Sequence, residues 1–175
     1  MADELLQLVD EEGRPAGSAP RSACHGNPTM IQAVVHLYLF DPQGRLYLQK
    51  RSRSKDTCPG LWDSSVGGHL GAGESPGQAL EREALEELGI ALGELRGLRP
   101  LPGYLTRTDW ESEYVFPYRA VFAGRPRPNP EEIEEGGFRT PEVVRRGIAE
   151  RPEEFTPHFR LAFSRLAEGS EAPAL

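Results

Sequence analysis

The chain has 175 residues, 20 Lys+Arg against 27 Asp+Glu, and a formal net charge of −7. It is long enough to bury a core without disulfide or metal staples. It carries no apolar run long enough for a transmembrane helix, no basic-then-apolar start of a secretory signal after Met1, and no basic footprint of a nucleic-acid binder. Cys24 and Cys58 are the only cysteines, too few for a disulfide scaffold, and predict two reduced thiols in a cytoplasmic protein.

In chain order, Leu5 to Val9 reads as a short strand, Asp10 to Gly13 as a turn, and Arg14 to Ser18 as the partner strand. Pro20 ends that hairpin and opens a polar loop. Ile31 to Phe40, rich in β-branched and aromatic residues, reads as a buried strand. Asp41 to Gly44 is a turn, and Arg45 to Lys50 alternates as the hairpin partner of that strand. A polar loop runs from Arg51 to Gly60. Ser75, Pro76 and Gln78 form a capping-box start with proline at the first helical position. Ala79 to Leu88 continues the helix, and Gly89 is placed to end it. Leu98 to Leu105 and Tyr114 to Phe122 read as strands. The segment from Arg125 to Pro130 is a stiff proline-rich loop, and Glu131 to Phe138 is acidic and contains a short strand. Pro141 to Ala149 and Phe155 to Ala167 read as helices. The irregular mixture predicts an α+β class or an α/β/α sandwich.

The chemistry concentrates in Gly67 to Ile90. On a helix, Glu83, Glu86 and Glu87 stand at i, i+3 and i+4, so they share one face and repel one another. A hard divalent cation such as Mg²⁺ or Mn²⁺ reverses that cost and leaves room for substrate phosphates. A solvated acidic face is the other reading of the glutamates alone. The segment from Gly68 to Ile90 matches the pattern G-x5-E-x7-R-E-U-x-E-E-x-G-U, with U a bulky apolar residue, through Gly68, Glu74, Arg82, Glu83, Glu86, Glu87, Gly89 and Ile90. Only Ala84 is small for its place. On this motif the chain resembles the Nudix hydrolase family.

The resemblance implies the Nudix fold, an α/β/α sandwich with a mixed central sheet. It also implies one Nudix domain over 1–175, with an N-terminal hairpin and loop over about 1–28 and the Nudix box at 68–90. It places Glu83, Glu86 and Glu87 as ligands of Mg²⁺ or Mn²⁺, with the Gly68 carbonyl as a further ligand and Arg82 paired with Glu74. The implied reaction is water attack on a small-molecule diphosphate, with Glu86, Glu87 and Arg82 in the catalytic set and Glu113, or a glutamate of the acidic stretch Glu131 to Glu135, as the assisting base. Arg51, Lys55 and His69 are candidates for meeting the substrate, since an Arg fork matches phosphate oxygens. The resemblance is compatible with a homodimer, and the lack of a long apolar run predicts no membrane partner.

A second resemblance runs from about Leu5 to Pro141. The stretches Leu46 to Lys55 and Pro59 to His69 are similar to isopentenyl-diphosphate isomerase and its Nudix hydrolase relatives. The isomerase would use a catalytic cysteine two residues before a metal-binding histidine. His69 fits the histidine, but Gly67 stands at the cysteine and cannot act as a general acid. Gln32 falls where the isomerase has another histidine, His25 matches a further one, and Glu111 with Glu113 resembles its paired glutamates. The retained box serves hydrolysis, so the expected activity is a diphosphohydrolase; an isomerase and a non-catalytic sensor are the alternatives. On residue chemistry alone, His36 reads as a core residue and His158 as a surface helix residue. Glu111 and Glu113 read as a surface ladder, a general base or an extra metal ligand, and Trp62, Tyr104 and Trp110 as core rings or base-stacking platforms.

Overall fold

The computed structural model describes residues 3–168, so both extremities of the expected 1–175 domain lie outside the described residues. Its strands are β1 (Leu5–Val9), β2 (Pro15–Pro20), β3 (Ile31–Phe40), β4 (Leu46–Arg51), β5 (Trp62–Asp63), β6 (Val66–His69), β7 (Arg96–Pro100), β8 (Tyr104–Arg107), β9 (Ser112–Val121) and β10 (Ile133–Arg139). The helices are the single turn α1 (Arg21–Cys24), then α2 (Pro76–Leu88), α3 (Pro141–Glu150) and α4 (Pro157–Glu168). No helix among the described residues is long and apolar enough to cross a membrane.

β3 is the axis of one mixed sheet. It pairs in parallel with β9 along its whole length, antiparallel with β6 from Val34 to Leu37, and with β1 at Gln32. Its alternating residues separate the two faces. Val34 and Tyr38 point toward Val144, Phe155, Phe159 and Phe163 of the C-terminal segment, whereas Leu37 and Leu39 pack with Leu80, Ala84 and Leu88 of α2. The result is the expected α/β/α sandwich.

The hairpin expected of β3 and β4 holds only at its turn. Phe40 and Leu46 are the one register pair; beyond them β4 leaves β3 and pairs with β10 and β5. Ser65 fills the split. Its buried Oγ accepts from the Leu39 N–H at 2.9 Å and donates to the Tyr47 carbonyl at 2.6 Å, so both freed backbone groups stay satisfied. The strand expected over Leu98 to Leu105 is two strands, broken where the chain passes close over Tyr114; a Cβ on Gly103 would meet its hydroxyl at 2.7 Å. β6, with two glycines in four residues, carries little strand propensity and forms because β3 pairs with it. The polar loop expected after Pro20 begins with α1, which forms because Cys24 packs against Leu6 and Ala19.

α2 is closed at both ends. Ser75 and Gln78 form the capping box, and Gly89 takes the left-handed conformation at φ 62°. Its last carbonyls also receive the proline-rich loop: Arg127 N–H donates to Leu88 O and Asn129 N–H to Glu87 O, each at 2.8 Å. The helix carrying the glutamates is thereby tied to the segment that leads into β10.

Candidate active site

A cleft of about 380 Å³ opens between the α2 side of β6 and the α4 side of β9. The residues expected to be catalytic, metal-binding or substrate-binding line it: Gly68, His69, Arg82, Glu83, Glu86, Glu87 and Glu113, with Arg51 and Lys55 at its far wall.

Arg82 is the hub of the α2 wall. Its Nε and Nη2 donate to Glu74 at 3.0 and 2.9 Å, Nη2 also donates to the His69 carbonyl at 3.0 Å, and Nη1 donates to Glu83 at 2.6 Å. Glu86 lies 3.5 Å from the same Nη1 and is more than half exposed. The Arg82 bonds hold the Glu74 carboxyl below its ordinary range. Glu74 also accepts the Gly71 N–H at 2.8 Å, so one guanidinium fastens the glycine-rich loop to the helix.

Glu87 is 5% exposed, and its Oε2 accepts from Gln49 Nε2 at 2.9 Å and from the Gly67 N–H at 3.3 Å. Burial, reinforced by the neighbouring Glu83 charge, pushes its carboxyl up to about 8. Burial also raises Glu83, against the pull of Arg82. Two desolvated carboxylates one turn apart are costly without a cation. Gly68 lies directly against the Glu83 carboxylate, in space that a Cβ would fill. The donors are hard oxygens and fit Mg²⁺ or Mn²⁺; Glu83, Glu86, Glu87 and the Gly68 carbonyl would hold it.

The opposite wall overturns the expectation for His158 and decides between the readings left open for Glu111 and Glu113. His158 is not a surface residue, and Glu111 and Glu113 are not a surface ladder. His158 Nδ1 lies 3.1 Å from Glu113, and its Nε2 lies 3.4 Å from Glu111. Oxygen and nitrogen atoms of the three residues fall within 4.8 Å of one another, close enough to share a metal ion. Position explains the trio. Thr156 caps α4 through the Phe159 N–H, bonds Asp63 at 3.1 Å, and donates its own N–H to the Trp62 carbonyl. That pins the first turn of α4 over the start of β9. Burial works against a charged His158, but the Glu111 hydrogen bond and both carboxylate charges outweigh it and raise its imidazole to about 9. Burial pushes Glu113 up to about 7, whereas the His158 hydrogen bond holds Glu111 down. His69, 3.9 Å from Glu113, is driven by burial down to about 3 and is neutral. No sequence spacing marks His158; only the helix N-cap at Thr156 placed it near a fixed helix end.

Arg51 and Lys55 line the cleft already engaged: Arg51 with Asp63 at 3.4 Å and the Thr57 carbonyl at 3.1 Å, Lys55 with Glu132 of the acidic loop. Cys58 and His25 also line it. Gln32 is fully buried beside Glu113 in register, and its amide has no hydrogen-bond partner among the described residues. Trp62 and Tyr104 are core rings, whereas Trp110 is exposed on the loop before Glu111. His36 is buried, as expected, yet its edge also lines the cleft.

Comparison with known proteins agrees with this geometry. The NUDIX domain model matches residues 30–159. The isopentenyl-diphosphate Delta-isomerase of Paenarthrobacter aurescens (strain TC1) is 31% identical over 98% of this chain and 95% of its own. That of Frankia alni is 39% identical over 76% of this chain and 70% of its own. Among solved structures, DR0079 from Deinococcus radiodurans superposes with a TM-score of 0.79 at 30% identity, covering 93% of this chain and 98% of its own. A MutT protein from Methanosarcina mazei Go1 shares the fold at a TM-score of 0.64 and 19% identity, over 83% and 98% of the two chains. With its box folded as loop and helix around one arginine and the domain model matching from just before β3 to the first turn of α4, the chain belongs to the Nudix family.

Proposed function

We propose that the chain is a single-domain Nudix diphosphohydrolase, dependent on Mg²⁺ or Mn²⁺, that cleaves a small nucleoside diphosphate-linked or related diphosphate. The observation that carries the reading is the complete acidic set of α2: a buried Glu87 and a partly exposed Glu83 together beside Gly67 and Gly68, braced by Gln49 and Arg82. A bound divalent ion would neutralise the diphosphate and make coordinated water more acidic. The chain's residues do the rest. Arg82 keeps loop and helix in register, and Arg51 and Lys55 offer cationic groups at the far wall. Glu113, with a carboxyl near neutrality, is suited to take the proton of the attacking water as the bridging P–O bond breaks. Free thiols at Cys24 and Cys58 fit a reducing compartment such as the cytoplasm.

A second reading is isomerisation of a diphosphate-bearing alkene, favoured by the names of the curated relatives and by the placing of a neutral His69 3.9 Å from Glu113 in the cleft. Against it stands Gly67, which supplies no acid where the isomerase places its thiol. One experiment separates the two. Phosphate and pyrophosphate release is followed with Mg²⁺ over nucleoside di- and triphosphates, nucleotide sugars, dinucleoside polyphosphates and isopentenyl diphosphate, beside an isomerisation assay on the last. Release from one nucleotide class supports hydrolysis. Isomerisation without release replaces it with the second reading.

A further inference from the structure

His36 and Gly67 are register partners across β3 and β6, with their side-chain positions on the cleft face of the sheet. A Cβ built on Gly67 would lie 3.2 Å from Cδ2 and 3.4 Å from Nε2 of His36, and 3.5 Å from Ser64 Oγ. The imidazole therefore borders the volume that any side chain at position 67 would claim. The opposite edge of the ring faces inward. Nδ1 lies 3.5 Å from the Tyr38 hydroxyl, which is 3.3 Å from the Tyr104 hydroxyl, and Arg165 lies over the Tyr104 ring at 4.7 Å. With the Tyr38 hydroxyl turned to donate to Nδ1, the proton of a neutral imidazole stands on Nε2, the tautomer that a contact from Nε2 requires. Nε2 has no hydrogen-bond partner among the described residues, and it borders a cleft lined by acidic and basic groups alike, with Asp63, His158 and Arg51 the charged groups that act on the ring.

We propose that His36 is a substrate-contacting residue, donating from Nε2 to an oxygen of the bound diphosphate compound in the space that Gly67 leaves open. The inference rests on the diphosphate reading of the cleft and deepens it. A neutral N–H adds no charge to the site, yet it discriminates an anionic oxygen from an apolar group. Gly67 then has a function of its own: it clears the approach to His36.

Three variants and one spectrum test this. His36→Leu keeps the bulk without the donor, His36→Gln restores a donor, and Gly67→Ala places a Cβ against the ring. His36→Leu and Gly67→Ala are expected to lose about 10- to 100-fold in kcat/KM, the range for a lost hydrogen bond to a charged group. His36→Gln is expected to stay within about fivefold, and Mn²⁺ affinity to be unchanged in all three. In wild-type protein labelled with ¹⁵N-histidine, His36 is expected as the Nε2–H tautomer, and its Nε2 resonance to shift when methylenediphosphonate and Mg²⁺ are added. A His36→Leu variant within about twofold of wild type, or a His36 resonance that the diphosphonate does not move, overturns the contact. If the wild type hydrolyses nothing, the spectrum still decides: a shift keeps the contact while the hydrolase reading falls, and no shift removes both.

Discussion

The two ring nitrogens of His158 each face a different carboxylate: Nδ1 lies 3.1 Å from Glu113 and Nε2 3.4 Å from Glu111. The helix α4 is thus fastened to the start of β9 by an imidazolium between two acids. Because the folded imidazole is raised to about 9, the folded state binds its proton more tightly than the unfolded chain does. The resulting stabilisation is fully present below the ordinary histidine value near 6.5 and is lost as pH rises through about 9. His158→Gln is expected to lower Tm by about 5 °C at pH 6, where a largely buried pair is broken. The gap to wild type should narrow by pH 9.5. Calorimetry at the two pH values checks this; a gap that widens with pH contradicts the ion-pair account.

Glu113 offers a kinetic test. A base works in its ionised form, and burial holds this carboxyl near 7. Turnover should therefore rise with pH through about 7 in wild type. In Glu113→Gln the limb should vanish and the rate fall by about 100-fold or more. A pH–rate profile of kcat with the best substrate of the screen measures both.

Glu86 is the exposed member of the acidic set, so its replacement perturbs packing least. Glu86→Gln is expected to keep Tm within about 2 °C of wild type, as surface changes do. It should lose about 100-fold or more in turnover, because a neutral amide is a poor ligand for a hard cation. Unimpaired activity of this variant would remove the metal site from α2.

Arg82→Lys preserves the charge at the hub but not the fork that reaches Glu74, the His69 carbonyl and Glu83 together. A single ammonium cannot make these directed bonds. Urea unfolding should report a loss of about 1–3 kcal/mol, discounted for the partial exposure of the arginine.

Ser65→Ala probes the fold away from the chemistry. It leaves the Leu39 N–H and one bond to the Tyr47 carbonyl unmade in the buried split between β3 and β4. The expected cost is about 2–4 kcal/mol by the same urea titration, from two buried backbone groups losing a partner.

Much of this protein was written in short stretches of sequence. α2 begins at Ser75–Pro76 and ends at Gly89 as its caps dictate, because a helix end is decided by groups three or four residues apart. The same locality explains why Glu83, Glu86 and Glu87 could be read as one face, and why the Arg82–Glu74 pair, eight residues apart across a loop and helix start, was implied by the motif. β1 and β3 likewise announced themselves by apolar runs that match their bounds. What only the tertiary structure decided lies between distant segments. β4 leaves β3 because β10 and the Ser65 wedge compete for its edge, an outcome that a turn signal at Asp41–Gly44 does not contain. His158 looked like any polar residue on a helix until Thr156 anchored that helix on Asp63 and Trp62, bringing the ring between two acids of another element. Desolvation raises Glu87 and Glu113 and lowers His69. It is set by everything packed around a group, so no residue's own identity or spacing encodes it.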